Sequence, residues 1–392
     1  MEILVVGAGV AGPTLAYWLA RFGHRPTLLE RAPALRTGGY VVDFWGAGLE
    51  VAERMSLVPE LRRTAYDVKE VRLVGRDGQR VGGFSADVFG RLTDGRCLSL
   101  RRGDLASAIY RALDERTETI FGDEPVTIED GPDDVRVTLA RGGARSFDLV
   151  IGADGLHSKV RALTFGEEAQ YEKYLGYEVA AVEVEGYRPR DDGVYVLHTE
   201  RGQQIARFAM RGDRTLFLFV WSEPDARPIP QDLAGQRARL RERFGSSGWE
   251  SARILDAADQ SDDIYFDRVS QIRMDAWARG RVALIGDAAH CVSLLAGQGS
   301  ALAMIGALVL AGELKEAGGD HRAAFARYDA RLRPFIEGKQ RAAERFASSF
   351  APRTSLGLAI RNQLTRLFSI PLVAELAIGR GLRDALELPD YG

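Results

Sequence analysis

Gly7, Gly9 and Gly12, in the run Gly-Ala-Gly-Val-Ala-Gly, stand between a β-rich stretch (residues 2–6, EILVV) and a stretch with helical spacing at Leu15, Trp18, Leu19 and Phe22 that Gly23 ends. Glycines so placed suit one chemistry. Gly7 permits a tight turn, Gly9 lets the backbone, with Val10 and Ala11, approach a pyrophosphate, and Gly12 lets the helix pack on the strand with its N-terminus facing the anion. Glu30, followed by Arg31, ends the next short apolar stretch, where a carboxylate accepts hydrogen bonds from ribose hydroxyls and disfavours a 2′-phosphate. The bland alternative is a glycine-rich turn that holds no nucleotide. Strand, turn, helix and acid in register favour the dinucleotide, without separating NAD from FAD.

Two more apolar stretches deliver an acid to a turn: residues 147–155 (FDLVIGADG) bring Asp154 and Gly155, and residues 281–287 (RVALIGD) bring Gly286 and Asp287. Open α/β sheets bind ligands at such carboxyl ends of strands. Arg102, opening a helix, suits a phosphate contact, with Arg101 its rival and a plain surface arginine the alternative. His157 and His290 have no second ligand or nucleophile at useful spacing and read as structural.

The elements that must position these groups fall into three sets. The β-turn-α-β start and the two later acid-bearing strands make a doubly wound parallel sheet. Residues 70–75, 178–185, 194–199, 203–210 and 214–221 alternate with period two, as antiparallel strands of an inserted sheet. In the last of these, Phe217, Phe219 and Trp221 share a face, which is either the wall of an apolar cavity or core between sheet and helices. The expectation is that they line a substrate pocket with Phe208 and Met210 of the neighbouring strand. From residue 300 onward the chain reads as helical; the segment from Ser355 to Leu382, interrupted by Pro371, carries Leu356, Ile360, Leu364 and Leu367 beside Arg361 and Arg366. That face clasps the two domains or lies on a membrane, the clasp being the expectation.

Composition sets the frame. In 392 residues, 46% are hydrophobic and 27% charged, as in ordinary globular proteins, and the net charge of -3 leaves no basic field for nucleic acid. No run is long and apolar enough for a membrane span. The glycine-broken N-terminal stretch carries Glu2 in place of a basic region, so export is not expected, and the two cysteines, Cys97 and Cys291, lack redox or metal spacing. A cytoplasmic protein is the expectation.

Together these motifs resemble the class A flavoprotein monooxygenases, the family of para-hydroxybenzoate hydroxylase and of the tetracycline-inactivating monooxygenases, over nearly the whole chain. The resemblance rests on Ser-Leu-Arg-Arg-Gly-Asp-Leu around Arg102, on residues 153–161 with Asp154, Gly155, Ser158 and Arg161, and on Gly-Asp-Ala-Ala-His at 286–290 followed by Gly297, Gln298 and Gly299. It implies non-covalent FAD, with Arg102 at the phosphates, the Asp-Gly segment serving FAD and nicotinamide nucleotide, Asp287 at the ribityl chain and the 297–299 amides at the isoalloxazine. Each has its own physics: a buried carboxylate needs donors such as hydroxyls, and a helix N-terminus stabilises an anionic reduced flavin by up to ~2 kcal/mol. The chain departs from the family at Ser293 and Leu294, where prolines are usual, and at Ala301, where asparagine is. It lacks the Trp-x-Trp-x-Ile-Pro element of flavin-dependent halogenases.

The fold class so implied is α/β: a Rossmann-type FAD-binding domain (residues 1–69, 101–172 and 276–340), an inserted antiparallel-sheet substrate domain (70–100 and 173–275) and C-terminal helices bridging the two (341–392). The activity implied is that of a hydroxylase: NAD(P)H, bound transiently for want of a second nucleotide fold, reduces the flavin, O2 forms a C4a-hydroperoxide, and oxygen passes to an aromatic or polyketide-like small molecule. A reductase or dehydrogenase of the same fold, or a non-redox cyclase that keeps FAD as a structural element, is the alternative.

Overall fold

The computed structural model describes residues 1–392 except 37, 188–190 and 368–385. Two sheets carry the architecture. The first has six strands in the order Ala278–Arg279, Val282–Leu284, Leu149–Gly152, Glu2–Val6, Arg25–Glu30, Glu118–Phe121, parallel apart from the hairpin at one edge. Ile3, Leu4 and Val5 are wholly buried, as are Leu149, Val150 and Ile151. Such continuous apolar runs are what a parallel sheet covered on both faces requires. Helix Ala11–Arg21 follows the glycine turn and packs on Gly299–Glu316, a helix buried almost all round. Within it Glu313 is buried and answered by Arg327, Arg331 and the Tyr391 hydroxyl.

The second sheet has seven strands, ordered Ile264–Ile272, Glu172–Glu185, Arg214–Ser222, Gln203–Met210, Val194–Glu200, Glu70–Val74, Arg80–Ser85. All pairs are antiparallel except Val194–Glu200 with Glu70–Val74. Every period-two stretch of the sequence is one of these strands. The face expected to be a pocket is core, however: Phe217, Phe219 and Trp221 are buried against Leu240, Phe244, Ile254 and Leu255 of the helices Leu233–Phe244 and Ser251–Ala258. Register also separates them from Phe208 and Met210, because Phe208 lies opposite Leu216 and Met210 opposite Arg214. Residues directly opposite on neighbouring strands share a face, so Phe208 and Met210 point the other way, toward the nucleotide sheet. Alternation alone cannot choose between two apolar faces of one strand, and the helices that choose here come later in the sequence.

A two-stranded ribbon, Val41–Trp45 with Cys97–Arg101, lies between the sheets, and a three-stranded sheet (Pro125–Asp130, Val135–Leu139, Gly143–Phe147) extends the first unit. Cys97 and Cys291 are free. Helix His321–Phe350 runs through residue 340. Helix Ser355–Leu367 packs on Arg80–Ser85 of the seven-stranded sheet, while Arg54 binds the carbonyl of Pro389 and the Tyr391 ring fills the space over Gly312. The C-terminal residues thus touch the seven-stranded sheet and two helices, Gly46–Arg54 and Gly299–Glu316, that pack with the six-stranded one. The rest of the amphipathic segment, with Pro371 and Leu382, lies outside the described residues. Among the described residues no helix is long and apolar enough to cross a membrane.

Candidate active site

The glycine turn is built by contacts that exclude side chains. A Cβ on Gly12 would stand 1.8 Å from the Gly7 carbonyl oxygen, and one on Gly7, whose φ is +108°, would stand 2.5 Å from that of Ala153. Gly7 therefore packs directly on the Asp-Gly segment, and the two motifs form one surface. Gly9 is different: the nearest atom to a Cβ there is an Arg102 guanidinium nitrogen at 3.7 Å. Arg102 joins the Tyr40 carbonyl through its backbone N–H and opens helix Arg102–Arg111, its guanidinium meeting no carboxylate among the described residues. Arg101 is committed elsewhere, to Glu183 of the second sheet at 3.1 Å. That geometry assigns the free cation by the glycine turn to Arg102.

Glu30 ends its strand with one carboxylate oxygen accepting from Ala8 N–H at 2.8 Å and the other from Ala32 N–H at 2.9 Å. Each oxygen keeps a lone pair for a further donor. Just beyond it a groove of about 660 Å³ runs between the segment Arg31–Arg36 and the turns at Asp123 and Arg141.

Asp154 turns inward. Its carboxylate accepts from Ser158 Oγ (2.6 Å), Lys159 N–H (2.7 Å) and Val160 N–H (3.1 Å), fixing the loop at Gly155, where φ is +84°, and burial lifts its pKa in spite of these bonds. Its contribution is to hold the loop on which Gly7 rests. Arg161, wholly buried, reaches the Ala288 carbonyl at 2.9 Å and Glu168 at 2.6 Å, tying this motif to the Gly-Asp motif. His157 bridges Glu168 (2.8 Å) and Asp267 of the second sheet (3.0 Å), and these two carboxylates push its pKa up to about 10. His290 is buried beside Trp277 and Tyr328, which pushes its pKa down to about 4 and leaves it neutral.

Gly286 has φ +60° and ψ −141°, a conformation essentially closed to other residues. It turns the chain so that the Asp287 carboxylate comes within 4 Å of a Cβ position on Gly299 at the start of helix Gly299–Glu316. Burial raises the Asp287 pKa, and Arg102 pulls it back. Between them Gly297 is left-handed and Ser293 holds φ at +136°, its hydroxyl accepting from Leu295 N–H. Serine in a region that glycine prefers is strained backbone. Ala301 has a packing reason: a Cβ on Gly48 would stand 2.4 Å from its own, so the crossing of helices Gly46–Arg54 and Gly299–Glu316 leaves no room for a larger side chain on that side.

The glycine-rich end of this surface abuts the second sheet. Leu294 and Leu295 pack on Val179, Val220 and Leu218, while Tyr40, Val41 and Tyr66 pack on Phe208, Met210 and Leu216. Phe208 stacks on Tyr195 at 4.4 Å and meets Tyr66 edge-on at 5.3 Å. Several groups here were not singled out from the sequence. Asp43, in the run Val-Val-Asp-Phe-Trp, is a half-buried carboxyl that accepts from Ser99 Oγ and whose pKa is raised by desolvation; a lone acid in an apolar strand was its signal. Tyr40, just before the ribbon, and Tyr265 of the second sheet lie 6.2 Å apart between ring centres and carry no local signal.

Turn, acid, guanidinium and helix N-terminus thus line one continuous path that ends on an apolar sheet face, the form of a flavoprotein that oxidises a small molecule beside its cofactor. Residues 1–342 match the family described as FAD binding domain. An uncharacterised protein of Mycobacterium tuberculosis is 40% identical over 342 residues, 86% of this chain and 91% of that protein. A flavin-dependent monooxygenase from an unknown prokaryotic organism is 33% identical over 391 residues, covering 100% of this chain and 99% of its own. The crystal structure of the tetracycline destructase Tet(51) superposes with a TM-score of 0.84 at 32% identity, over 100% of this chain and 99% of that one. The chain belongs to the FAD-binding domain family and is an FAD-dependent monooxygenase.

Proposed function

We propose that this monooxygenase uses NAD(P)H and O2 to hydroxylate an aromatic or polyketide-like small molecule: one NAD(P)H, one proton and one O2 are consumed, one oxygen atom enters the substrate as hydroxyl and the other leaves as water. When bound, FAD supplies hydride acceptance and oxygen activation. In this reading the chain's residues do the rest. Gly7, Gly9, Val10, Ala11 and Gly12 receive the pyrophosphate with Arg102 beside it, and Glu30 and Arg31 take the adenosine ribose. Asp154 and Gly155 fix the floor of the turn, Gly286 aims Asp287 at the ribityl hydroxyls, and Gly297, Gln298 and Gly299 present backbone N–H groups to the ring. Phe208 and Met210 belong to the substrate side, and the division into two sheet-based domains bridged by the C-terminal helices is kept. A cytoplasmic setting, with free thiols and ready NAD(P)H, fits.

The observation that carries this reading is the contact of Leu294 and Leu295, just before the glycine-rich turn, with Leu218 and Val220. It sets the ring end of the cofactor path against an apolar wall, where water is excluded from oxygen transfer. Support from likeness comes from the structure named a tetracycline destructase, at 32% identity over the whole chain. The test is turnover under 18O2 with FAD, NAD(P)H and an aromatic substrate, expecting label in the product and NAD(P)H oxidation accelerated by that substrate. Reduction of substrate without oxygen uptake marks a reductase, and turnover with oxidised flavin and no NAD(P)H marks a non-redox enzyme; either overturns the proposal.

A further inference from the structure

Among the described residues, Ser56, Asp94, Asp213 and Trp249 have positive φ values between +51° and +59°, inside the left-handed well that side chains can enter. Ser293 stands far outside it, at φ +136° and ψ +140°. A buried residue keeps so costly a conformation only where its surroundings over-determine it. Two side-chain amides do so here. Gln271, near the end of strand Ile264–Ile272, donates through Nε2 to the Val292 and Gln340 carbonyls, both at 2.9 Å, while its Oε1 accepts from Arg273 Nη2 at 2.8 Å and Nε at 3.1 Å. Gln340, on helix His321–Phe350, donates through Nε2 to the Cys291 carbonyl at 3.1 Å and to the Ile272 carbonyl at 2.9 Å. Both glutamines are buried. The Cys291 carbonyl takes a second bond, from Ile272 N–H at 3.1 Å, so the two residues ahead of Ser293 are held from a strand and a helix at once. On its other side the Ser293 hydroxyl accepts from Leu295 N–H at 3.2 Å and its carbonyl from Ala296 N–H at 3.1 Å, and Leu295 is buried with Val179 and Val220.

We infer that Gln271 and Gln340 are positioning residues for the ring end of the flavin site: they clamp the chain ahead of Ser293, hold that serine in a backbone conformation it does not keep by itself, and so fix where Gly297, Gln298 and Gly299 present their N–H groups. The inference rests on the monooxygenase reading and adds to it two residues that lie outside every nucleotide motif. Glutamine is the side chain this task needs. Each Nε2 carries two hydrogens and uses both on carbonyls, whereas glutamate and methionine offer no donor at all. Between Ser293 and helix Gly299–Glu316 stand only the short turn Leu294–Ala296, the left-handed Gly297 and Gln298. A φ released at Ser293 therefore swings the helix entry or pulls Leu295 off its apolar seat. Proline, usual at this place in the family that the chain resembles, is locked at φ of about −65° and cannot take Ser293's conformation. The turn and the clamp that holds it belong together in this chain.

Titration of the apoprotein with FAD and, separately, with ADP reads the two ends of the site. Gln271→Met and Gln340→Met are each expected to weaken FAD by about tenfold and to leave ADP, which reaches only the glycine-turn end, within about twofold. Ser293→Gly takes the same φ without strain and is expected to restore FAD affinity in Gln271→Met; Ser293→Ala, which loses the same hydroxyl and keeps the strain, is not. In the otherwise unchanged apoprotein, Ser293→Gly melts higher than Ser293→Ala. Unchanged FAD affinity in both glutamine variants, equal losses for FAD and ADP, or the same effect of glycine and alanine on Gln271→Met overturns the inference. Should the glutamine variants fail to fold, the melting order decides, and a Ser293→Gly protein that melts no higher than Ser293→Ala overturns it. Binding of ADP without FAD by the unchanged protein strikes the monooxygenase reading instead, and the melting order is read with no flavin present.

Discussion

The two faces of strand Arg214–Ser222 are equally apolar and do opposite work. Phe217, Phe219 and Trp221 meet two helices from the same insertion and are sealed, with Trp221 edge-on to both Phe244 and Phe266. Leu216, Leu218 and Val220 meet segments of the nucleotide unit at both ends and leave Leu218 half-covered between them. Both faces carry aromatic bulk, but only the first is roofed by the insert's own helices.

The largest effect that separates the faces is on stability. Trp221→Ala is expected to cost about 3–5 kcal/mol by leaving a cavity, whereas Leu218→Ala costs about 1 kcal/mol because only part of its surface is removed from water; urea unfolding of both variants measures the gap, and equal losses would erase the distinction between faces. Next comes the buried pair on the closed face, Glu178 with Arg239 at 3.0 Å. Burial already outweighs the pull of Arg239 and raises the Glu178 pKa. Arg239→Ala leaves that carboxyl alone and costs about 3 kcal/mol, which the same urea unfolding reads. A smaller effect, on the cofactor wall opposite, is that Asp287→Ala weakens FAD retention by about 1–3 kcal/mol, the hydroxyls being left unpaired, with the melting temperature of the flavin-free protein unchanged; a titration of apoprotein with FAD reads it.

The smallest is a pH effect at the rim of the open face. His157 is held protonated between Glu168 and Asp267, its pKa at about 10 against an ordinary 6.5. A raised histidine pKa stabilises the fold fully below pH 6.5, and that contribution drains away as pH climbs toward 10. Half-exposed, it shifts the melting temperature only slightly; His157→Gln should remove the slope over that interval, and an unaltered slope would show that the bridge between motif and sheet carries no load.

Much of this was legible in the chain because the chemistry is local. Gly7 to Gly12, Glu30, Asp287 and Gly299 each sit beside a strand end or helix start that their neighbours specify, so a reading along the sequence places them. The parallel strands announce themselves by unbroken apolar runs and the inserted strands by alternation. What alternation leaves out is sidedness. Phe217 and Leu218 differ in fate because of Leu240, Phe244, Ile254 and Leu255, residues that no window around the strand contains. The choice of Arg102 over Arg101 likewise turned on Glu183, far along the chain, and the surroundings of Asp43 come from Ser99 on the partner strand of the ribbon. Ala301 became explicable only through Gly48.

Strand Leu149–Gly152 lies between Glu2–Val6 and Val282–Leu284 in the parallel sheet, while five of the seven strands of the other sheet come from residues 172–272. During synthesis from the N-terminus, the opening strand therefore waits with one side unpaired until residue 149 is made, and the sheet is not whole until residue 284. The insert draws most of its strands from near neighbours in sequence, so most of its loops close cheaply. The six-stranded sheet therefore gains its last strand only after every strand of the seven-stranded sheet has been made.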